Sequence, residues 1–458
     1  MKKNSLLTFL KIIIIISMIP FGCVGRVFAP LFYLIILIFS LIATGQTGHK
    51  THFLYEKKVY LLFYACLGFM LLQLIPLPFF LLKIISPTTA HSLSLYKEQV
   101  PAFHPISMVP FETIVFACKF LVFAFFFRVL INLKLDKKEM FSLCKVLVIT
   151  AASQSLFGLL KYLSGNRFFF LFFYDLGKDN NMSRFLTGTL GNADHFAFFL
   201  EMILPLALAL FFLKLEYFEG GKSLREKFLS AIEVNRSVGA YFIIAILLGA
   251  GIILSGSRSG IMTMVFSFMI FAQFSFYLKR SREVRKKLKL FFIIIATAAV
   301  LLGVQNTLSK FLSTKIENAG RFMRWPATVS MAGDFPLFGS GFGTYRYTFF
   351  LYDKAETGEW STHAHSDYLE IAAEGGLIGS LLFLSLIGLL IFSIIKMWMN
   401  RKHPGIRMIG IGIITGLFAA ALHSIFDFSL HIPSNMLTFM LIIGMGIKFA
   451  TYKREFRE

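Results

Sequence analysis

Apolar runs recur along this chain every few dozen residues, as in "LFYLIILIFSLIA" at 31–43 and "LFFIIIATAAVLLGV" at 290–304. An apolar stretch of roughly 18 residues is long enough to cross a bilayer as a helix. The pattern predicts twelve spans, near 8–22, 27–43, 58–76, 111–131, 140–162, 193–213, 238–255, 259–278, 289–307, 373–395, 406–427 and 432–450. The first two can also be read as one broken hairpin. The fold class expected is an all-α polytopic membrane protein with about twelve transmembrane helices. One large polar loop carries short helices.

The polar positions between spans are of two kinds. Alternate loops contain "KTHFLYEKK", "RVLINLKLDKK", "KRSREVRKKLK" and "KMWMNRKHPGIR". Most of the 46 Lys and Arg fall on that side, and such an excess marks the cytoplasmic face. Both termini are then cytoplasmic. The start "KKNSLLTFLKIIIIISMIP" lacks a small-x-small cleavage site and reads as an uncleaved first span. The opposite face receives outer loops at 77–110, with five prolines, and 163–192, and the long segment 308–372. The chain thus divides into spans one to nine over 1–307, an outer loop over 308–372, and spans ten to twelve with a cytoplasmic tail over 373–458.

Composition agrees with that division. The hydrophobic fraction is 56%, Phe alone occurs 56 times, and only 16% of residues are charged, against about 25% in soluble domains. Mean hydropathy is +0.71. A net charge of +21 would indicate nucleic acid in a soluble protein. Here the cytoplasmic-loop bias accounts for it, and no nucleic-acid partner is expected. The four cysteines, Cys23, Cys66, Cys118 and Cys144, have no metal-type spacing and read as apolar packing residues.

Candidate chemistry lies on the outer face. "LSGSRSGIMTM" puts Arg258, flanked by Ser257 and Ser259, at the start of the eighth helix. N-terminal N–H groups beside a guanidinium attract phosphate, and headgroup contact by a snorkelling Arg is the plainer alternative. Arg321 and Arg324 in "GRFMRWPATVSM" are three apart, on one face of a short helix expected over about 321–332. A glycine turn follows at 339–343, then an irregular, lid-like section, then "THAHSDYLEIAAEGG" at 362–376. His363, His365 and Asp367 alternate and would face one way on a strand, as metal ligands do. No further His or Cys lies nearby at zinc-like spacing, so no metal is expected, and His365 is better placed as a general base. His423 and Asp427 are four apart in the eleventh span, where a structural hydrogen bond between them and a functional role both stand. Asn192, Asp194 and His195 in "GTLGNADHFAFF" mark another outer helix start. Lys119, Lys145, Lys161 and Glu201 are the groups a transporter or flippase would use, but most lie near span ends.

Taken together these residues resemble the O-antigen ligase and polymerase superfamily of bacterial envelope glycosyltransferases, over most of the chain and most specifically from about 186 to 433. The ligase signature, His then Asn, Ser or Gln, nine free positions, Gly, two more, and Gly, Thr or Tyr, is met by His365, Ser366, Gly376 and Gly379. The family's R-x-x-x-W and P-x-x-G-x-G-x-G resemble Arg321, Trp325, Pro336, Gly339, Gly341 and Gly343. "SGSRSG", "GTLGNADHFA" and "HSIFDF" are similar to further family patterns.

The resemblance implies metal-independent, cofactor-free transfer of a glycan from undecaprenyl diphosphate to an acceptor hydroxyl. The place would be the periplasmic face of the bacterial inner membrane. In a ligase the acceptor is a lipid A-core sugar. In an O-antigen or exopolysaccharide polymerase it is a lipid-linked repeat, and a third branch glycosylates protein Ser. Arg258 and Arg321 would hold the diphosphate, with Arg324, Ser257, Ser259, Ser366, Asn192 and His195 as substrate contacts. His365 would take the acceptor proton. Asp367, Glu370, Glu374, His423 and Asp427 are the groups from which its orienting partner would come.

Overall fold

In a computed structural model, residues 3–19, 21–47, 51–96, 100–164, 185–216, 236–277, 290, 293, 320–352 and 362–452 are described. The described chain is mainly helical. The helices are α1 (Lys3–Ile16), α2 (Phe28–Thr44), α3 (Glu56–Leu72), α4 (Phe79–Ile85), α5 (Pro87–Tyr96), α6 (Pro110–Asn132), α7 (Lys137–Leu163) and α8 (Ala193–Glu216). They continue with α9 (Arg236–Leu254), α10 (Arg258–Tyr277), α11 (Gly320–Asp334), α12 (Tyr345–Thr348), α13 (Asp367–Met399), α14 (Pro404–His423) and α15 (Pro433–Thr451). Among the described residues seven helices are long and apolar enough to cross a membrane: α6, α7, α8, α9, α13, α14 and α15. The protein is an all-α polytopic membrane protein.

Eleven of the twelve expected spans coincide with a helix, and the ninth, 289–307, lies outside the described residues. Helix bounds differ from the expected spans in several places, two of which matter here along with one outer loop. The first helix stops at Ile16, and the chain turns through Phe21, Gly22 and Cys23, all at positive φ, so α1 and α2 form a broken hairpin. The Pro-rich segment 77–110 is more ordered than its prolines promise. It holds α4, α5, and a two-residue antiparallel pairing of Leu77 with His104 and Pro78 with Phe103. Pro87 starts α5, a position where its missing N–H costs nothing. The eleventh span ends at His423 rather than 427.

α8 is apolar on all sides, and 94% of its apolar window is buried in the protein, as an all-round hydrophobic helix requires. It packs against α14, α9 and α10. The approach to α14 is close because Gly412 and Gly416 present no side chain: a Cβ at Gly416 would lie 2.4 Å from the Met202 carbonyl oxygen. Small residues at i and i+4 let helix backbones meet in this way. That contact fixes the register that brings Glu201 of α8 to His423 of α14.

α13 is broken in its third turn. Gly376 has φ 58° and ψ −161°, outside helical space, and the 336–341 chain fills the break. Leu377 N–H donates to Pro336 O at 2.8 Å, Ser340 N–H to Ala373 O at 3.0 Å, and Gly341 N–H to Glu374 O at 3.0 Å. The Gln73 amide donates to Phe338 O at 2.7 Å and to Glu374 O at 3.0 Å. Backbone groups freed by the break are therefore satisfied from the loop and from α3.

Candidate active site

Four segments meet at one end of the bundle: the turn into α8, the turn into α10, the chain into α13, and the 424–432 turn between α14 and α15. At the first, Asn192 caps α8, its Oδ1 accepting Asp194 N–H at 2.8 Å and His195 N–H at 3.4 Å. At the second, Gly256 adopts φ 66°, ending α9 sharply. Ser257 then caps α10 by accepting Gly260 N–H at 3.1 Å. The Ser257 hydroxyl also donates to the Asp194 carboxylate and lies 3.1 Å from Ser259 Oγ. Ser259 Oγ is 3.2 Å from His423 Nε2, and His423 Nδ1 is 3.0 Å from Glu201 Oε2. Arg258 is half-buried between these two anchored serines, at the positive end of α10.

His365 enters from the third segment with φ 50°, the left-handed region that a histidine rarely occupies. This backbone ends the alternation expected over 363–367. Its Nδ1 lies 3.3 Å from Asp427 Oδ1. Asp427 is fully buried; it also accepts from the Ser429 hydroxyl and sits 3.5 Å from His195 Nε2. Burial alone would raise the Asp427 carboxyl, but the His195 charge and the His365 hydrogen bond hold it well below the usual carboxylate range. Asp367 N–H donates to Ser424 O at 3.0 Å and to Asp427 O at 3.2 Å. The 424–427 turn is thereby docked on the start of α13.

Beside this pair the Phe428 ring is surrounded by histidines. His363 stacks on it at 4.1 Å between centroids, and His365 and His195 meet its edge at 4.9 and 4.8 Å. His363 Nδ1 is 2.8 Å from Glu370 Oε1, whose other oxygen accepts Ala364 N–H at 2.9 Å. His431 Nε2 is 3.3 Å from the same Glu370 Oε1, and its Nδ1 is 3.1 Å from Asp367 Oδ1. Burial pushes the His431 imidazole down, but Glu370 and Asp367 outweigh it and carry it up to about 10.

α11 carries Arg321 and Arg324 from Gly320 to Asp334. Its Trp325 stacks on Phe426 of the same 424–432 turn, at 6.2 Å between centroids. Arg324 is half-buried beside Trp325, and the Arg321 side chain lies outside the described residues. Thr328 and Tyr345 join α11 to α12 through hydroxyls 2.8 Å apart. Glu374 accepts Tyr345 N–H at 2.7 Å.

A cavity of about 390 Å³ opens between α6, α13, α14 and α15. Its walls are mainly Phe and Leu. Its polar end is formed by Asp367, Glu370, Glu374 and His431, with Lys119 on the wall.

Of the five groups considered as orienting partners, Asp427 is the one at His365. Asp367 and Glu370 face His431 and His363, Glu374 bonds backbone, and His423 belongs to the Glu201 and Ser259 group. Of the two readings of His423 and Asp427, the direct hydrogen bond is not formed: His423 pairs with Glu201 and Ser259, and Asp427 with His365 and Ser429. α14 ends at His423, so Asp427 no longer shares its helix face. Ser366 caps α13, accepting Leu369 N–H at 3.4 Å, and the lid-like section over 353–361 lies outside the described residues. Phe428 closes the "HSIFDF" pattern and His431 lies just beyond it, but the contacts of neither, nor the pairing of Glu201 inside α8, are legible in the sequence alone. Glu201, a candidate transport group, is committed to His423.

Residues 243–384 match the family model described as O-antigen ligase. The match takes in Arg258, Arg321, Arg324 and His365, while His195, Glu201, His423, Asp427 and His431 lie outside it. A search of curated proteins finds no match to the chain. The chain thus combines membrane-spanning helices with a region similar to O-antigen ligases, and the match supports the O-antigen ligase/polymerase superfamily.

Proposed function

We propose that this protein moves a glycan from undecaprenyl diphosphate to a lipid A-core sugar hydroxyl at the periplasmic face of the inner membrane. The observation that carries the reading is the His365–Asp427 pair, 3.3 Å apart. Trp325 beside Arg324 stacks on Phe426 of the turn that bears Asp427, and Ser259 beside Arg258 meets His423 at the helix end just before it. An ionised, buried Asp427 accepts from Nδ1–H of His365. The Nε2 lone pair then remains to receive the acceptor proton, a role worth roughly 100- to 10,000-fold in rate. The acceptor oxygen attacks the anomeric carbon as the bond to the diphosphate breaks. The leaving group departs as a stable anion, and the arginines hold that charge. Removing one such preorganised partner costs about 3–4 kcal/mol. No metal is needed in this step. The apolar cavity beside the site suits a lipid-borne substrate.

The complete His365, Ser366, Gly376 and Gly379 signature favours ligase over polymerase chemistry; extension of lipid-linked repeats is the second reading. Purified protein offered a lipid-linked repeat with and without lipid A-core separates them. Glycan appearing on the core, and no transfer by His365→Ala at equal protein level, is the expected result. Longer lipid-linked chains without core would replace the ligase reading by the polymerase one. Near-normal transfer by His365→Ala would remove His365 as the base.

A further inference from the structure

We propose that His363, Glu370 and His431 form a divalent-cation site of the zinc class, which clips the chain entering α13 to the turn entering α15. Two imidazoles and one carboxylate are a common zinc donor set. Their ligand atoms all lie within 4.8 Å of one another. His363 Nδ1 and His431 Nε2 are 2.8 and 3.3 Å from Glu370 Oε1. Neighbouring ligands of a tetrahedral ion bound at about 2.0–2.1 Å sit roughly 3.3 Å apart, so small side-chain shifts admit the ion.

The surroundings match the donor set. Glu370 Oε2 is occupied by Ala364 N–H at 2.9 Å, which leaves Oε1 as a single-oxygen ligand. Asp367 Oδ1 lies 3.1 Å from His431 Nδ1. Once an ion replaces the Nε2 proton, that contact holds the remaining proton on Nδ1 and keeps the Nε2 lone pair facing Glu370. A carboxylate behind a ligating imidazole is the usual outer shell of a zinc histidine. The His363 ring is pinned flat on Phe428. Glu370 and His431 also line the large cavity, which gives an entry path and room for a water as fourth ligand. The rival arrangement is a protonated His431 bridging two carboxylates with no ion.

The ion would act as a strut. It ties residues on both sides of His365 to the turn that carries Asp427, without touching the glycan.

The test uses full-length, untagged protein in detergent, stripped with EDTA and titrated with Zn²⁺. One equivalent per chain is expected, and Co²⁺ in its place should give the ligand-field spectrum of a four-coordinate site. His363→Ala, Glu370→Gln and His431→Gln should each weaken zinc binding by roughly 100-fold or more. Asp367→Asn should keep the site but weaken it about 10- to 100-fold. His365→Ala should retain the full equivalent, because it is not a ligand. A wild-type protein that takes up no stoichiometric zinc overturns the proposal, as does zinc retained undiminished by all three ligand variants. Should those variants fail to fold, wild-type stoichiometry and the cobalt spectrum decide alone. Metal content is read without any glycan substrate, so it stands or falls apart from the transferase reading.

Discussion

His365 occupies backbone that a β-carbon resists. At φ 50° the left-handed region costs roughly 1–2 kcal/mol for a residue other than glycine, and such strain persists where surrounding contacts over-determine it. Here those contacts are the Asp427 hydrogen bond and the Phe428 edge. His365→Gly should therefore leave thermal stability equal or raised while abolishing glycan transfer, measured by melting in detergent and by product formation on the same preparation. A strong loss of stability would mean the imidazole's contacts outweigh its backbone strain. Asp427 supplies a pH prediction. Its carboxyl titrates near 4 in the unfolded chain and lower in the folded one. The stabilisation it contributes is fully present above about pH 4 and is lost as pH falls through the folded value. The melting temperature should drop on acidification below about pH 4. Asp427→Asn should start lower at neutral pH and show a shallower acid dependence. Equal acid profiles for the two proteins would contradict this account.

At the scale of elements, the glycines of the two motifs serve one joint. Gly339, Gly341 and Gly343 all have positive φ, and the break at Gly376 receives the chain that bears them. A Cβ at Gly339 would lie 2.0 Å from the Glu374 carbonyl oxygen, and one at Gly376 2.5 Å from Leu337 C. Neither neighbour is a flexible side-chain tip. Gly339→Ala combines left-handed strain with overpacking and should destabilise by about 2–5 kcal/mol. Gly333→Ala, in α11 with open space at its Cβ, should be neutral or gain up to about 1 kcal/mol from helix propensity. Chemical or thermal unfolding of the purified pair checks the contrast; similar effects would show that the joint tolerates a Cβ. The signature residues Gly376 and Gly379 thus meet the 337–342 chain and Phe69 rather than His365, and Gly376 sets the break in α13.

At the scale of the molecule, segments far apart in sequence converge on one end of the bundle: 192–195, 257–259, 363–367 and 423–431. The basic-loop count places all four on the same face from sequence alone. That agreement is demanding, because a missed span anywhere between 195 and 363 would have sent one of them to the opposite end. Cytoplasmic termini and a periplasmic site are tested by topology reporters in intact cells. Alkaline phosphatase inserted within 353–361 should be active, and inserted after Asn400 inactive. The reverse pattern would turn the site toward the cytosol and remove its access to a periplasmic acceptor.

The all-α polytopic membrane class, the polar landmark at 362–376 and the ligase signature are legible in the chain, because bilayer thickness and short motifs act on contiguous residues. The partners are not. Asp427 as the group at His365, Glu201 as the group at His423, and His431 beside Glu370 depend on where helices end and how closely they pack. About one turn of helix, from His423 to 427, decides which way Asp427 points. Two glycines in α14 decide whether Glu201 meets a histidine or another apolar wall. Such pairings join residues that no local pattern connects, so they come into being only when the bundle closes.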